Sequence, residues 1–162
     1  MAKVYLGLGS NVGNKLTNIK KTVSHLKKIL KVKKISPVYK TEPVGYKHQD
    51  WFLNCVVEAE THNKALELLN LLKSIEKKLK RKKTIRYGPR IIDIDILFYD
   101  DKIIKSKNLQ IPHPRMHKRL FVLMPFSKIN PNFIHPKYKK TIMELKNKLK
   151  NKKGVELYRK KP

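Results

Sequence analysis

Two aspartates in an otherwise apolar run are the residues of this chain whose type and spacing most clearly suggest chemistry. Residues 91–98 have the composition of a β-strand, because β-branched and aromatic side chains dominate them, yet Asp93 and Asp95 interrupt the run. Alternate residues of a strand share a face, so the two carboxylates project together, about 7 Å apart at ~3.3 Å per residue. Carboxylates at this spacing can converge on one or two hard divalent cations.

Arginines precede this strand in the segment Arg86-Tyr87-Gly88-Pro89-Arg90. Guanidinium groups bind phosphate oxygens in a bidentate manner, whereas carboxylates bind Mg²⁺. The combination therefore predicts a site that holds Mg²⁺ and a polyphosphate together. The alternative is an amphipathic strand with a solvated face, but such faces carry Thr, Lys or Glu more often than Asp. The chain has only 12 acidic residues, which makes an incidental pair on one strand a weaker explanation.

Length and composition indicate one globular domain, residues 1–162, large enough to bury a core. No apolar run approaches the ~20 residues that a membrane-spanning helix needs. The N-terminal residues Met1-Ala2-Lys3-Val4-Tyr5 enter a strand pattern at once, which leaves no room for a signal peptide. A single cysteine, Cys55, excludes an internal disulfide. We therefore expect a cytoplasmic protein with no membrane partner.

The strong positive charge permits two interpretations. A formal net charge of +27 would ordinarily suggest a nucleic-acid partner. However, only 6 of the 39 basic residues are arginines, and five of those lie between Arg81 and Arg119. We interpret the lysines as a diffuse solvated surface and the arginine cluster as a site. A nucleic-acid-binding sheet needs exposed aromatic and basic side chains on its central strands, where this chain has aspartates. We expect nonspecific binding at low salt, but no specific nucleic-acid partner.

The hydrophobic patterns predict the element order β-α-β-β-α-β. Strands are predicted at 4–8, 32–40, 51–60 and 91–99, and helices at 15–30 and 63–79. This order is typical of a ferredoxin-like α+β sandwich, an antiparallel sheet with both helices on one side. An extra C-terminal helix is predicted at 141–149, and the basic tail 151–162 is expected to be frayed.

Several motifs follow one another along residues 3–131. They are Tyr5-Leu6-Gly7-Leu8-Gly9-Ser10-Asn11, Tyr39-Lys40-Thr41-Glu42-Pro43, Phe52-Leu53-Asn54, Gly88-Pro89-Arg90-Ile91-Ile92-Asp93-Ile94-Asp95, Pro112-His113-Pro114-Arg115 and Arg119-Leu120-Phe121. Together they resemble the 6-hydroxymethyl-7,8-dihydropterin pyrophosphokinase family of folate biosynthesis. The Gly-Pro-Arg-x-x-Asp-x-Asp string followed by Pro-His-Pro-Arg is the most specific part of the resemblance.

The resemblance implies diphosphate transfer from ATP to the hydroxymethyl group of 6-hydroxymethyl-7,8-dihydropterin, giving AMP and the pterin diphosphate. Two Mg²⁺ ions would be bound by Asp93 and Asp95. The catalytic residues implied are Arg81, Arg90, Asp93 and Asp95. The ATP-binding residues implied are Glu76, Lys83, Arg86, Arg90, Ile96, His113 and Arg119. The pterin-binding residues implied are Thr41, Glu42, Val44, Phe52, Asn54, Tyr87 and Phe121, with the pterin between the rings of Phe52 and Phe121.

Two positions depart from the family pattern. Lys83 replaces a usual arginine, which keeps the charge but loses the bidentate fork, and Tyr87 replaces a usual tryptophan. No side chain stands out as a strong general base, so positioning and electrostatics are expected to carry the rate of in-line attack on the β-phosphorus. Residues 41–50 and 80–87 are predicted to be loops that order on ATP binding. A monomer is expected.

Alternatives remain for individual residues and for the reaction. Without the resemblance, Phe52 and Phe121 are interpreted as core residues and Glu76 as a solvated acid on a helix face. Residues 7–13 are interpreted as a strand-to-helix turn, because the third glycine comes one residue too late for a dinucleotide fingerprint. A different Mg²⁺-dependent kinase on the same fold is the competing enzyme hypothesis.

Overall fold

The computed structural model describes residues 1–79 and 89–162. Its elements are β1 (Ala2–Ser10), α1 (Lys15–Ile29), β2 (Lys31–Ile35), β3 (Val38–Thr41), β4 (Phe52–Thr61), α2 (Ala65–Lys78), β5 (Asp93–Tyr99), β6 (Ile104–Lys105), β7 (Gln110–Ile111), α3 (Leu120–Ile129), α4 (Ile142–Lys148) and β8 (Val155–Arg159). None of the helices in these ranges is long and apolar enough to cross a membrane. The predicted site residues Arg81, Lys83, Arg86 and Tyr87, and the predicted loop 80–87, lie outside the described residues.

The strands form a six-stranded antiparallel sheet in the order β5-β1-β4-β3-β8, with β2 also paired to β4. The predicted ferredoxin-like α+β sandwich is confirmed. The single strand predicted at 32–40 is instead two strands, interrupted at Ser36-Pro37. Proline has no backbone N–H for the ladder, and Ser36 bonds to Val56 of β4 through both its backbone N–H and its hydroxyl.

Each face of the sheet is covered by its own pair of helices. On one face Val4, Leu6 and Leu8 of β1 are buried against α1 and α2, which confirms that these two helices share a side. On the opposite face Tyr5 and Val56 are buried against α3 and α4. Alternation along β1 produces this division, because successive side chains of a strand point to opposite faces. On this second face α3 and α4 do not cover the end of the sheet at which β1 ends and β4 and β5 begin. This end therefore has space for a site.

The basic tail is not frayed as expected, because residues Val155–Arg159 form β8 at the edge of the sheet beside β3. Leu157 and Tyr158 of this strand are both more than half exposed. The strand therefore buries no apolar face, and its five residues are too short a signal among the basic residues of the tail for sequence reasoning to detect. Backbone hydrogen bonds to β3 hold the strand, and these do not depend on side-chain type.

Candidate active site

The floor of the candidate site lies where β1 passes between β5 and β4. Gly9 is in register with Asp93 on one side and with Asn54 on the other. Two residues earlier, Gly7 is in register with Asp95. The two glycines have no side chain on this face, so a shallow groove separates the aspartates from the asparagine. The predicted strand geometry is confirmed, since Asp93 and Asp95 are both partly exposed on the face that bears the groove.

A cavity of about 270 Å³ occupies this end of the sheet. Its lining includes the predicted site residues Thr41, Glu42, Val44, Phe52, Asn54, Arg90, Asp93, Asp95, His113, Arg119 and Phe121. The fold therefore brings together residues that are separated by up to eighty positions in the chain. Arg115 also lines the cavity, although sequence reasoning assigned it no site role.

One wall of the cavity carries aromatic rings and a fixed amide. Phe52, at the start of β4, and Phe121, in the first turn of α3, are only partly buried and both line the cavity. The Asn54 amide donates from Nδ2 to the Thr41 hydroxyl oxygen at 2.5 Å. Asn54 and Thr41 are buried, so this amide has a fixed orientation. Phe121 also packs against the hydrophobic cluster under α3 and α4, so the two rings combine partial burial with a face on the cavity.

Arg90 is anchored to the end of β1 through Asn11. The Arg90 backbone N–H donates to Asn11 Oδ1 at 2.7 Å, and the Asn11 backbone N–H donates to the Arg90 carbonyl at 2.9 Å. Asn11 Nδ2 also donates to Gln49 Oε1 at 2.7 Å and to the Asp50 carbonyl at 3.0 Å. Asn11 is buried and ties two loops to the sheet, a role that sequence reasoning missed when it treated this segment as a turn.

His113 contributes a neutral ring to the cavity. Its Nδ1 accepts the Arg115 backbone N–H at 3.2 Å, and the backbone N–H of His113 donates to the Leu97 carbonyl at 3.0 Å. Burial, with a smaller contribution from the positive charges of Arg119 and Arg115, lowers the pKa of His113 to about 4. With Nδ1 accepting, the neutral ring presents Nε2–H as a donor. Such a group can donate to a phosphate oxygen without carrying a charge.

A second cleft of about 250 Å³ adjoins the cavity and shares Asp95 and His113 with it. Its other lining residues are Leu69, Ile94, Ile96, Lys107, Asn108, Leu109, Gln110 and Pro114. The predicted residue Ile96 belongs to this cleft and not to the main cavity. Half of the lining residues are aliphatic side chains or proline, which suits the base of a nucleotide whose phosphates extend towards Asp95.

Glu76 is buried beneath β5 and does not line either the cavity or the adjoining cleft. Its Oε2 accepts the backbone N–H of Ile94 at 2.9 Å, between the two aspartates of β5. The interpretation of Glu76 as a solvated helix-face acid is therefore wrong, because its carboxylate ties α2 to β5. Glu76 can act on the site through the position of this strand.

The donor set fits Mg²⁺ bound together with a polyphosphate. Among the described residues, no group of three or more His, Cys, Asp and Glu side chains converges on a common point. The pair Asp93 and Asp95 could supply two carboxylates, and Mg²⁺ is typically held by one or two carboxylates plus substrate phosphates and water. A closed structural metal site would need more protein ligands. Arg90, Arg119 and His113 line the same cavity and could bind the phosphates.

Comparison with known proteins shows the family to which the chain belongs. The family described as 7,8-dihydro-6-hydroxymethylpterin-pyrophosphokinase (HPPK) matches residues 5–131. A 2-amino-4-hydroxy-6-hydroxymethyldihydropteridine pyrophosphokinase of Aquifex aeolicus is 47% identical over 146 residues, 90% of this chain and 91% of that protein. A protein of the same name from Bacillus subtilis is 43% identical over 127 residues, 77% of this chain and 76% of its own length.

Longer proteins contain a similar segment. The folic acid synthesis protein FOL1 of Dictyostelium discoideum is 45% identical over 148 residues, which are 91% of this chain but 22% of that protein. The crystal structure of a Plasmodium falciparum HPPK-DHPS triple mutant with pteroate has a TM-score of 0.72 and 22% identity, covering 91% of this chain and 43% of that one. The structural match supports the fold alone. From the family match and the identities, the chain belongs to the 7,8-dihydro-6-hydroxymethylpterin-pyrophosphokinase family and is an ATP-dependent diphosphotransferase of folate biosynthesis.

Proposed function

We propose that this chain transfers the diphosphate of ATP to the hydroxymethyl group of 6-hydroxymethyl-7,8-dihydropterin and releases AMP. The observation that carries the proposal is the register of Asp93, Gly9 and Asn54 across three neighbouring strands. This register places the half of the cavity with aromatic rings and the Asn54 amide next to the half with carboxylates and arginines. Adjacent strands are about 4.8 Å apart, so a ligand lying over Gly9 would reach both halves at once.

The first half suits a flat, polar heterocycle. Phe52 and Phe121 can stack on the two faces of a pterin, because offset stacking is a favoured arrangement of aromatic rings. The amide of Asn54, with the backbone of Thr41, Glu42 and Val44, would bind the hydrogen-bonding edge of the ring. The family resemblance adds Tyr87 to this set.

The second half suits the triphosphate of ATP. We assign Asp93 and Asp95 as ligands of two Mg²⁺ ions, which would neutralise charge on the phosphates when bound. Arg90, Arg119 and His113 would contact phosphate oxygens, and the cleft at Ile96 would hold the adenine. Glu76 would contribute by holding β5 in place. The resemblance adds Arg81 as a catalytic residue and Lys83 and Arg86 as ATP contacts.

The reaction requires the pterin hydroxymethyl oxygen to form a bond to the β-phosphorus while the bond to the α-phosphate oxygen breaks. AMP leaves with the electrons of that bond, and the hydroxyl proton passes to solvent. Asn54 and the aromatic pair would orient the nucleophile, and Arg90, together with the Arg81 that the resemblance adds, would supply positive charge to the transferred group. Positioning and electrostatic stabilisation would therefore provide most of the rate enhancement.

Product analysis tests this proposal. Incubation with ATP, Mg²⁺ and 6-hydroxymethyl-7,8-dihydropterin should yield AMP and the pterin diphosphate in equal amounts, measured by ³¹P NMR and ion-exchange chromatography. 6-Methyl-7,8-dihydropterin, which lacks the hydroxyl, should yield no AMP and so controls for ATP hydrolysis. ADP together with a pterin monophosphate would overturn diphosphate transfer and favour the competing hypothesis of a different kinase.

A further inference from the structure

We propose that the edge strand β8, through Gly154 at its start, positions the segment Thr41–Val44 and thereby sets the affinity for the pterin. The inference rests on the proposed function, because it concerns the pterin half of the same cavity. β8 lies beyond residues 5–131, which the family match covers, and no residue of β8 lines the cavity. Its contribution is therefore to positioning.

Backbone contacts join β8 to this segment at the edge of the cavity. The Glu42 N–H donates to the Gly154 carbonyl at 2.8 Å. The pairing continues into the two strands, where Thr41, the last residue of β3, is in register with Val155, the first residue of β8. On its other side Thr41 is in register with Phe52 of β4. Thr41 is thus held between two strands, and without β8 it would lie on an edge strand with one side unpaired.

The close approach of the two segments requires glycine at position 154. A Cβ at this position would lie 2.7 Å from Glu42 Oε2 and 3.0 Å from Glu42 Cβ, closer than side-chain atoms normally pack. Gly154 also has a φ of +78°, in the left-handed region where side chains are disfavoured. The Glu42 carboxylate can rotate away, but Glu42 Cβ is fixed to the backbone, so a larger residue at position 154 must push the segment at Glu42 or move β8 away from β3.

A displacement of Glu42 would reach the pterin half of the cavity directly. Thr41, Glu42 and Val44 line the cavity, and the Thr41 hydroxyl oxygen accepts the hydrogen bond from Asn54 Nδ2. A shift of this segment would therefore remove backbone contacts to the pterin and loosen the Asn54 amide. The phosphate half, with Asp93 and Asp95, is built on β5 at the opposite edge of the sheet and would be spared.

The matched variants Gly154→Asn and Gly13→Asn test the inference. Gly13 also has a positive φ, +70°, but the nearest atom to its Cβ would be Asn18 Nδ2 at 3.9 Å. Asparagine tolerates the left-handed region, so the two variants carry similar backbone strain and differ in the contact with Glu42. We expect Gly154→Asn to raise the KM for the pterin about tenfold, because contacts that bind the pterin are lost. The KM for ATP should change by less than about twofold. Gly13→Asn should change neither KM by more than about twofold.

A second variant, Leu157→Gly, covers the case in which Gly154→Asn does not fold. The exposed Leu157 lies further along β8 than the residues that contact Glu42. Glycine at this position weakens the strand without adding an atom near Thr41–Val44. It should raise the pterin KM in the same direction by about twofold or more, because β8 holds the segment less firmly. Equal rises in both KM values, or an unchanged pterin KM in a folded variant, would overturn the inference. A wild-type protein that forms no pterin diphosphate would instead overturn the proposed function.

Discussion

Gly9 and Asn54 face each other across β1 and β4, and a Cβ on Gly9 would lie 2.6 Å from Asn54 Oδ1. The φ of Gly9 is not in the left-handed region, so this close approach is what requires glycine here. We predict that Gly9→Ala displaces the Asn54 amide and raises the KM for the pterin by about tenfold or more, while the KM for ATP changes little. Steady-state kinetics with each substrate varied in turn measures both values.

A double-mutant cycle separates this mechanism from a general distortion of the sheet. If Gly9→Ala acts through the Asn54 amide, it should hardly change the KM for the pterin in an Asn54→Ala background, because the displaced group is already absent. Additive losses from the two substitutions would contradict the mechanism and would assign Gly9 a separate role in the floor of the cavity.

The second prediction concerns the protonation of His113. Burial and the neighbouring Arg119 and Arg115 lower its pKa to about 4, so the ring should be neutral throughout the physiological range. We expect an NMR titration of its ring protons, assigned with His113→Gln, to have a midpoint near 4 in the free protein. An ATP analogue with Mg²⁺ should raise the midpoint by about one unit, since phosphate charges offset the arginines. A midpoint of about 6.5 without ligand would contradict the described environment.

The third prediction is an acid-sensitive stability that depends on His135. This side chain is 1% exposed, and its Nδ1 accepts the backbone N–H groups of Lys137 at 3.1 Å and Tyr138 at 3.2 Å. Burial lowers its pKa to about 4, and the charges of His117 and Lys137 act in the same direction. Below a pH of about 6.5 the unfolded chain binds a proton that the folded protein excludes. The free energy of unfolding should therefore fall, by roughly 2 kcal/mol from this residue, as the pH decreases from about 6.5 to 4.

The variant His135→Asn isolates this effect, because its Oδ1 can accept the same two N–H groups and does not titrate. We expect lower stability at pH 7, from lost ring packing against Phe98, but a shallower decline between pH 7 and 5 than in the wild-type protein. Urea unfolding at each pH measures the difference. The exposed His62→Asn should keep the wild-type decline, and an equally steep decline in His135→Asn would contradict the assignment.

The sequence could predict features that follow from local patterns. The period-two spacing of Asp93 and Asp95 identified the face of β5 that bears the candidate site, and the order of the elements placed α1 and α2 on one side of the sheet. The pterin-side positions came from the family resemblance, because nothing in the local pattern distinguishes Phe52 or Phe121 from core aromatics. All predicted site residues within the described ranges, except Glu76, line the cavity or the adjoining cleft. Glu76 lies beneath β5 and accepts a hydrogen bond from the Ile94 backbone.

Other features depend on contacts between distant segments and could not be predicted. The hydrogen bond from Arg90 to Asn11 joins residues 79 positions apart, and neither residue type signals it. The close approach of Gly154 to Glu42 and the strand β8 depend on backbone pairing, for which exposed side chains such as Leu157 give no pattern. Pro37 did offer a signal for the break between β2 and β3, since proline is disfavoured within a strand.

The role of Asp93 and Asp95 is tested most directly by counting bound metal ions in their variants. With an ATP analogue, electron paramagnetic resonance of Mn²⁺ should show two bound ions in the wild-type protein and fewer in Asp93→Asn and Asp95→Asn. Each variant should lose about 10³-fold or more in kcat/KM, equivalent to about 4 kcal/mol of transition-state stabilisation. The exposed Asp101→Asn, beyond the far end of β5, should match the wild type in both measurements. Two bound Mn²⁺ ions and wild-type turnover in both Asp93→Asn and Asp95→Asn would contradict the proposed metal site.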